Sequence, residues 1–318
     1  MEFIIKSGDG GATVKDFLRR ELNPSRKLLN LTKSKPDGIL LNGERVTVRR
    51  ILKPGDILNF NYESRAGALD LQLPNAGLLG LVDIVYEDEH MLCVNKPAGM
   101  PSHPSFNHRD GTLANAIAAY YLAHDINLKF HPVNRLDKNT SGLMLIAKDR
   151  LISPRLNALI KRGDIKKSYV AIVTGDVSLL RTDSNCEYDP ESRSGKICAP
   201  IKRDPDSIIK RICAPDGGYA LTQFKLIKSN GALSLLEVYP VTGRTHQIRV
   251  HFQAIGHALL GDDLYSAEPI PGYELGRHAL HAASLEFAHP VSQANIKIEC
   301  APPQDMQEII KKIWEPYV

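Results

Sequence analysis

The first sixty residues contain two helical patterns followed by short strand-like runs. Apolar residues recur at helical spacing over residues 13–22, and Ser25 is a suitable N-cap for a second helix. The Asn42-Gly43 pair between apolar residues is typical of a hairpin turn. We predict a hairpin over residues 39–46 and further strands at residues 46–48 and 56–60. The pattern therefore predicts two helices followed by a small sheet.

After residue 80 the apolar runs become mostly strand-like. The clearest is the run at residues 143–147, which is wholly apolar and is typical of a strand buried on both faces. The predicted strands cover residues 83–86, 91–95, 143–147, 167–173, 221–227, 233–239, 284–287 and 296–300. The predicted helices cover residues 113–121, 248–255 and 303–313.

Length and pattern together predict two domains. A small domain at residues 1–62 is joined to a larger one at residues 81–318 by a linker, residues 63–80, which is rich in Gly, Ala, Asn and Leu. No apolar run is long enough to span a membrane, and the N-terminus lacks the layout of a secretory signal. The five cysteines are scattered and never form Cys-x-x-Cys. They predict reduced thiols in a cytoplasmic protein and argue against a thiolate zinc site. We expect a monomer, since no segment suggests an oligomeric interface.

The positive charge of the chain is concentrated at its N-terminus. The whole chain carries a net charge of +4, but residues 1–62 contain twelve Lys or Arg and only seven Asp or Glu. A compact basic region of this kind suggests a polyanionic partner, with nucleic acid the leading candidate. A solvated surface with a chance excess of charge explains the count equally well.

Residues 131–142 contain the most informative candidate for chemistry. Asp137 lies between two cations, Arg135 and Lys138, just before the apolar run at residues 143–147. Charged residues on loops held by a rigid scaffold are often catalytic. Asp, Asn, Ser and Gly also form turns without any chemistry, and spacing alone favours the turn.

Further segments at residues 95–99, 167–169, 243–251 and 280–290 combine polar and apolar residues in the same way, and each has a purely structural alternative. Tyr169 could be a core aromatic residue, and Arg249 a cation on a helix surface. His246 and His251 are five residues apart, so they do not share a helix face as a zinc-binding pair would. We expect no metal there.

In this order the segments resemble the RluA-type pseudouridine synthases over residues 81–290. The segment 135–142 reproduces the family's Arg-Leu-Asp-x-x-Thr-Ser-Gly. The Lys-Pro-Ala-Gly, Lys-x-Tyr, Gly-Arg-Thr-His-Gln-Ile-Arg-Val-His, Leu-Gly-Asp and Leu-His-Ala segments also occur in the family's order. Residues 12–62 resemble the small RNA-binding module first seen in ribosomal protein S-four. The chain departs from the family at Asn134, Ala258 and Ser266, where His, Pro and Gly are usual.

The resemblance implies both a fold and an activity. The fold would be α+β, a mixed and mostly antiparallel sheet flanked by helices, with a small α+β RNA-binding domain at the N-terminus. The activity would be isomerisation of specific uridines in RNA, foremost in large-subunit (23S) ribosomal RNA, to pseudouridine after base flipping. No cofactor or metal is expected, because the reaction needs no electrons and no group from outside. The alternatives are a tRNA-directed synthase, a non-catalytic RNA-binding or ribosome-assembly protein, and a glycoside-type hydrolase.

The resemblance also assigns residues to roles. Asp137 would be the catalytic carboxylate, Arg249 its ionic partner, and Tyr169 would stack on the base or assist proton transfer. Arg135 would fill the space that the flipped base leaves. In an extended segment Arg135 and Asp137 face the same side, with Leu136 packed behind them. Further RNA contacts are expected from Lys96, Arg244, His246, Lys15, Arg19, Arg26 and Lys27.

Overall fold

The computed structural model describes residues 1–62, 75–105, 110–126, 128, 130–183, 185–266 and 269–314. Residues 63–74 of the predicted linker lie outside the described residues. Its remaining part, residues 75–80, contains a short 3-10 helix, Ala76–Leu78. No helix in the described ranges combines the length and the apolar character needed to cross a bilayer.

Residues 1–62 form two helices and a four-stranded antiparallel sheet of order β1-β4-β2-β3. The elements are β1 (Glu2–Ile4), α1 (Val14–Glu21), α2 (Arg26–Ser34), β2 (Ile39–Leu41), β3 (Glu44–Arg45) and β4 (Ile57–Phe60). Both predicted helices are confirmed, and Ser25 caps α2 by accepting a hydrogen bond from the Leu28 N–H at 3.1 Å. The hairpin turn is also confirmed, because Asn42 and Gly43 both have positive φ.

The strand predicted at residues 46–48 is wrong. The carbonyl groups of Val48 and Arg50 instead accept hydrogen bonds from the N–H groups of Lys15 and Val14, at 2.9 and 2.8 Å. The first N–H groups of a helix have no partner within the helix, so this segment satisfies the start of α1 and does not extend the sheet.

The N-terminal sheet and helices enclose their own apolar core, which includes Phe17, Leu18 and Phe60. Leu151 from the body joins that core. We retain the boundary at residue 62 as a proposal.

The body is built on one large sheet of order β10-β11-β14-β15-β9-β16-β8-β6-β5. Strand β17 pairs with β16, β7 pairs with β8, and β12 and β13 form a separate hairpin. The strands are β5 (Asp83–Glu87), β6 (Met91–Lys96), β7 (His131–Pro132), β8 (Ser141–Ala147), β9 (Lys166–Thr174), β10 (Cys186–Asp189), β11 (Ser194–Cys198), β12 (Ile201–Arg203), β13 (Arg211–Cys213), β14 (Leu221–Ser229), β15 (Leu233–Pro240), β16 (Leu280–Ala288) and β17 (Asn295–Glu299). The helices are α3 (Leu113–Ala123), α4 (Ile152–Arg162), α5 (Gln247–Ala254) and α6 (Gln304–Trp314). The pairing of β16 with β8 is parallel and the others are antiparallel, so the predicted α+β class with a mixed, mostly antiparallel sheet is confirmed.

Strand β8 lies inside the sheet between β16 and β6, and all of its residues are buried, as the apolar run predicts. Gly142 stands where β8 runs beside β16. Its φ is 111°, and a Cβ there would lie 2.3 Å from the carbonyl oxygen of Ala282. Only glycine tolerates both the positive φ and the close approach of the two strands. The last residue of segment 135–142 is therefore fixed by backbone packing.

Helix α4 was not predicted from the sequence. Ser153-Pro154 near its start suggests a turn, but proline is tolerated in the first helical turn, where its missing N–H has no partner to lose. Ile152 and Leu156, one turn apart, bury the apolar side of the helix.

Candidate active site

Asp137 lies on the loop between β7 and β8. Along this loop Arg135 is exposed, Leu136 is buried and Asp137 is half-exposed, which is the alternation predicted for an extended segment. The Leu136 carbonyl accepts a hydrogen bond from the buried Ser102 hydroxyl at 2.8 Å. This hydrogen bond anchors the loop through Leu136, while the charged side chains of Arg135 and Asp137 remain accessible.

The loop forms one wall of a cleft of about 440 Å³. Six of the residues predicted from the sequence line it together: Arg135, Asp137, Tyr169, Arg244, His246 and Arg249. These residues come from the β7–β8 loop, strand β9, and helix α5 with the turn before it. The fold thus brings the Asp137 loop beside α5 and the turn before it, which lie more than a hundred residues later in the sequence.

Arg249 is a buried residue of α5, so its interpretation as a surface cation is wrong. Its Nη1 lies 3.5 Å from Asp137 Oδ2. Its Nε and Nη2 donate to the two carboxylate oxygens of Asp262, both at 2.7 Å. The Tyr265 ring packs 5.1 Å from the guanidinium carbon. The Arg249 guanidinium is therefore held by the buried Asp262 carboxylate and directed at the half-exposed Asp137 carboxylate.

Asp262 fixes Arg249 in this position. Burial raises the pKa of the Asp262 carboxyl, but its hydrogen bonds to Arg249 and the positive charge of Arg249 outweigh burial and hold the pKa below its usual value. The carboxylate also accepts the Leu264 and Tyr265 N–H groups. In the sequence, the Leu-Gly-Asp segment is the one sign of this residue.

Tyr169 belongs both to the core and to the cleft. It lies on β9 among buried apolar residues, including Leu136, and it lines the cleft. Burial, and then the negative charge of Asp137, raise the pKa of its phenol well above the usual value. Tyr169 is therefore a neutral phenol at physiological pH, able to stack on a base or to donate a proton.

His246 lies beside Asp137, immediately before α5, with a φ of 56°. Its Nε2 is 3.8 Å from Asp137 Oδ2, and its Nδ1 is 2.9 Å from the Tyr265 hydroxyl. Burial lowers the pKa of the imidazole although the charge of Asp137 opposes the shift. His246 is therefore neutral at pH 7 and acts as a polar neighbour of Asp137.

The structure corrects the expectation that Lys96 contacts RNA. The side chain is fully buried and is not part of the cleft wall. Its ammonium donates to the carbonyl oxygens of Pro97, Met100 and Lys138, at 2.8, 2.8 and 3.1 Å. Burial lowers the pKa of Lys96 to about 7, while the negative charge of Asp137 opposes that shift. Lys96 ties the Asp137 loop to the end of β6.

Replacement of Lys96 by methionine is expected to destabilise the protein by about 2–4 kcal/mol, because three carbonyl groups that are buried or partly buried lose a charged donor. Urea unfolding measures this loss, and RNA binding by the folded fraction should stay at the wild-type level. Weaker RNA binding with unchanged stability would instead support a direct contact between Lys96 and RNA.

Two buried histidines, His278 and His281, contact the residues that follow Asp137. His278 Nε2 lies 2.7 Å from the Thr140 hydroxyl, and His281 Nδ1 lies 2.9 Å from the Ser141 hydroxyl. Burial lowers the pKa of His278 to about 3 and that of His281 to about 4. The Thr-Ser pair after Asp137 is thus held by two neutral imidazoles. The sequence indicated His281 through the Leu-His-Ala segment and gave no sign of His278.

Stability should fall as the pH drops below about 6.5. The unfolded chain then takes up protons on His278 and His281, which the folded protein does not accept until the pH approaches about 3 for His278 and about 4 for His281. Each imidazole contributes up to about 1.4 kcal/mol per pH unit within its window. Urea unfolding of wild type and His281→Asn between pH 4.5 and 7 tests this, and the variant should show the shallower dependence. Identical slopes would contradict the assignment of His281.

Asn134, which replaces the family's usual His, pairs with the backbone of β8. Its amide oxygen accepts the Leu145 N–H at 2.7 Å, and its amide nitrogen donates to the Leu143 carbonyl at 3.2 Å. The side chain therefore extends the pairing of β7 with β8 to the beginning of the Asp137 loop. Asn134, although it differs from the family's usual His, thus keeps the loop attached to the sheet.

The remaining predicted RNA contacts lie on the surface. Arg244 is exposed at the cleft, where its Nε donates to the Tyr219 carbonyl at 3.0 Å. Four basic residues lie on the two N-terminal helices at exposed or partly exposed positions away from the cleft wall: Lys15, Arg19, Arg26 and Lys27.

Asp262, Asp263 and His278 are the one group in the described ranges whose side-chain atoms approach closely enough to share a metal ion. Arg249 donates to both oxygens of Asp262 and lies 3.4 Å from Asp263. A cation at this position would compete with the guanidinium and be repelled by it, so the donor set does not suit a metal.

Comparison with known proteins identifies the class of protein that this fold and cleft define. The sequence model of the RNA pseudouridylate synthase family matches residues 90–254, and the chain belongs to that family. It is an RNA pseudouridine synthase, an isomerase that acts on RNA.

Similarity to individual relatives extends over most of the chain. The RNA pseudouridine synthase YjbO of Bacillus subtilis is 38% identical over 94% of this chain and 98% of its own length. The ribosomal large subunit pseudouridine synthase D of Zymomonas mobilis is 37% identical over 73% of each chain. Among solved structures, human RNA Pseudouridylate Synthase Domain Containing 4 shares the fold, with a TM-score of 0.57 and 22% identity over 76% of this chain and 97% of that one.

Proposed function

We propose that the protein converts specific uridines of 23S ribosomal RNA to pseudouridine in this cleft, with Asp137 as the catalytic carboxylate. The observation that carries the proposal is the 3.5 Å approach of Asp137 to Arg249, a guanidinium that Asp262 already holds in place. The ribosomal target is supported by the relatives named ribosomal large subunit pseudouridine synthase D.

The demanding step is cleavage of the bond between the base and the ribose, which builds positive charge on the sugar. A carboxylate stabilises that charge, as carboxylates do in glycosidases. The positive charge of Arg249 compensates the negative charge of Asp137 when bound RNA excludes water from the cleft. Neutral Tyr169 flanks the base, which turns in place after its bond from N1 to the ribose breaks and rejoins the ribose through C5. C5 then loses its proton and N1 takes up a proton, so the reaction is an isomerisation. No second carboxylate has to activate water, because the departing base is itself the acceptor.

A uridine in folded RNA must leave its stack before its ribose can reach Asp137, at a cost of a few kcal/mol. Arg135 is exposed at the cleft on the same loop as Asp137. We assign to Arg135 the filling of the vacated stack, where its planar guanidinium can pack on the neighbouring bases.

The basic N-terminal region would contribute phosphate contacts that hold RNA without reading its sequence. Lys15, Arg19, Arg26 and Lys27 are accessible for this role, and we propose that residues 1–62 form an RNA-binding domain like that of ribosomal protein S-four. All five cysteines are free, which supports a cytoplasmic location, and we propose that the enzyme acts as a monomer.

Pseudouridine mapping of ribosomal RNA and tRNA from cells that lack the gene tests the proposed target. We expect loss of pseudouridine at one or a few positions of 23S ribosomal RNA and recovery when the wild-type gene is restored. Loss confined to tRNA would replace the proposed substrate. Unchanged modification of both RNAs would favour a non-catalytic role.

A further inference from the structure

Strand β9 presents two lysines to different surroundings. Lys166 and Ser168 point to one face, where Lys166 lies 3.5 Å from Glu286 and Ser168 donates to Glu237 at 2.9 Å. Lys167 alternates with them and lines the cleft together with Tyr169. The strand therefore delivers one lysine to an ion pair and the next one to the substrate cleft.

Lys167 is half-buried and lacks a counter-ion. Among the side chains and backbone groups placed by the structure, none forms an ion pair or a hydrogen bond with its ammonium. Carboxylates near the strand are already engaged, Glu237 by Ser168, Glu286 by Lys166 and Glu299 by Lys297. Burial lowers the pKa of Lys167, and no carboxylate acts against that shift.

A partly buried cation without a partner destabilises a protein, so a ligand that supplies the missing negative charge would bind there with a gain in free energy. The cleft also carries Arg135 and Arg244 at exposed positions. A neutral carbonyl oxygen of the uracil base would leave the charge of Lys167 uncompensated, whereas a phosphate group would neutralise it.

We propose that Lys167 binds a backbone phosphate of the substrate RNA, next to the nucleotide that enters the cleft. This inference rests on the proposal that the target uridine is bound in this cleft. The contact is made by the ammonium to anionic phosphate oxygens and carries no base specificity. It would hold the extruded nucleotide against the wall that bears Tyr169.

The test compares Lys167→Met with Lys166→Met, a matched control on the opposite face of the same strand. Binding of an unmodified 23S ribosomal RNA transcript is measured over a range of KCl concentrations. Lys167→Met should weaken binding about tenfold at low salt and reduce the slope of log affinity against log salt by about one, and Lys166→Met should change neither. In turnover assays the loss should fall mainly on KM. Lys167→Arg should retain most of the affinity.

Stability separates a binding role from a structural one. Lys167→Met should unfold in urea at the wild-type midpoint or above it, since it removes an uncompensated charge. A lower midpoint with an unchanged salt slope would overturn the proposal, and so would binding equal to that of Lys166→Met. Should wild-type enzyme modify a tRNA transcript and leave the 23S transcript unmodified, the proposed target fails, and the same salt titration on tRNA still decides the role of Lys167. Full activity of Asp137→Asn would refute the cleft as the site of reaction without altering the salt result.

Discussion

Replacement of Asp137 by asparagine is expected to lower the rate of pseudouridine formation by about a thousandfold or more, with little change in stability. Asparagine keeps the shape of the side chain but lacks the negative charge to which we assign stabilisation of the ribose during cleavage. Because Asp137 is half-exposed and its neighbour Arg249 keeps two hydrogen bonds to Asp262, the fold should persist. Single-turnover assays on an RNA transcript with pseudouridine readout measure the effect.

Asp206→Asn serves as the control, since Asp206 is an exposed aspartate outside the cleft wall. It should leave the rate unchanged, while both variants should bind RNA as the wild type does. Activity of Asp137→Asn within about tenfold of wild type would be too high for a catalytic carboxylate, whose loss typically costs more than that.

The second large effect is expected at Asp262. Asp262→Asn leaves Arg249 buried without its main charge partner, which should destabilise the protein by about 3–5 kcal/mol. The same change releases the guanidinium from its position 3.5 Å from Asp137, so the folded fraction should also lose activity. Urea unfolding measures the first effect, and single-turnover rates at saturating enzyme measure the second.

A double variant separates stability from catalysis. Asp262→Leu combined with Arg249→Met replaces the ion pair by apolar residues, and such replacements are often neutral for stability. We expect the double variant to regain most of the lost stability and to remain inactive. An active double variant would show that the guanidinium is not needed at Asp137. A single Asp262→Asn variant as stable as wild type would show that the pair contributes little to the fold.

Local patterns were enough to predict most elements of the fold. The apolar run of β8 and the caps of α1 and α2 act through neighbouring residues, so the sequence shows them directly. Helix α4 was missed because its N-terminal Ser-Pro pair suggests a turn, and β1 because three residues at the end of a chain carry little pattern. The segment 46–48 has strand-like residues, but its carbonyl groups cap α1 through contacts that no local pattern shows.

The candidate site could likewise be predicted only in part, because some of its features depend on contacts between distant segments. The order of the segments singled out Asp137, Tyr169 and Arg249, and the structure places all three at one cleft. Burial was not predictable: Lys96 has the charge of an RNA contact and the position of a core residue. His278 supports Thr140 across 138 positions of sequence, a separation at which no spacing rule applies.

The close contact between Gly142 and Ala282 constrains how many residues can separate Gly142 from Asp137. Since no side chain fits at that point beside Ala282, strand β8 cannot shift along β16 by one residue without placing a bulkier residue there. The position of the Asp137 carboxylate is therefore set by the number of residues between it and Gly142. Inserting or deleting one residue between Asp137 and Gly142 would move it by about 3.8 Å, the distance between consecutive Cα atoms. That step exceeds the whole 3.5 Å separation of Asp137 from Arg249, so we expect a change in the number of residues between Asp137 and Gly142 to separate the carboxylate from the guanidinium.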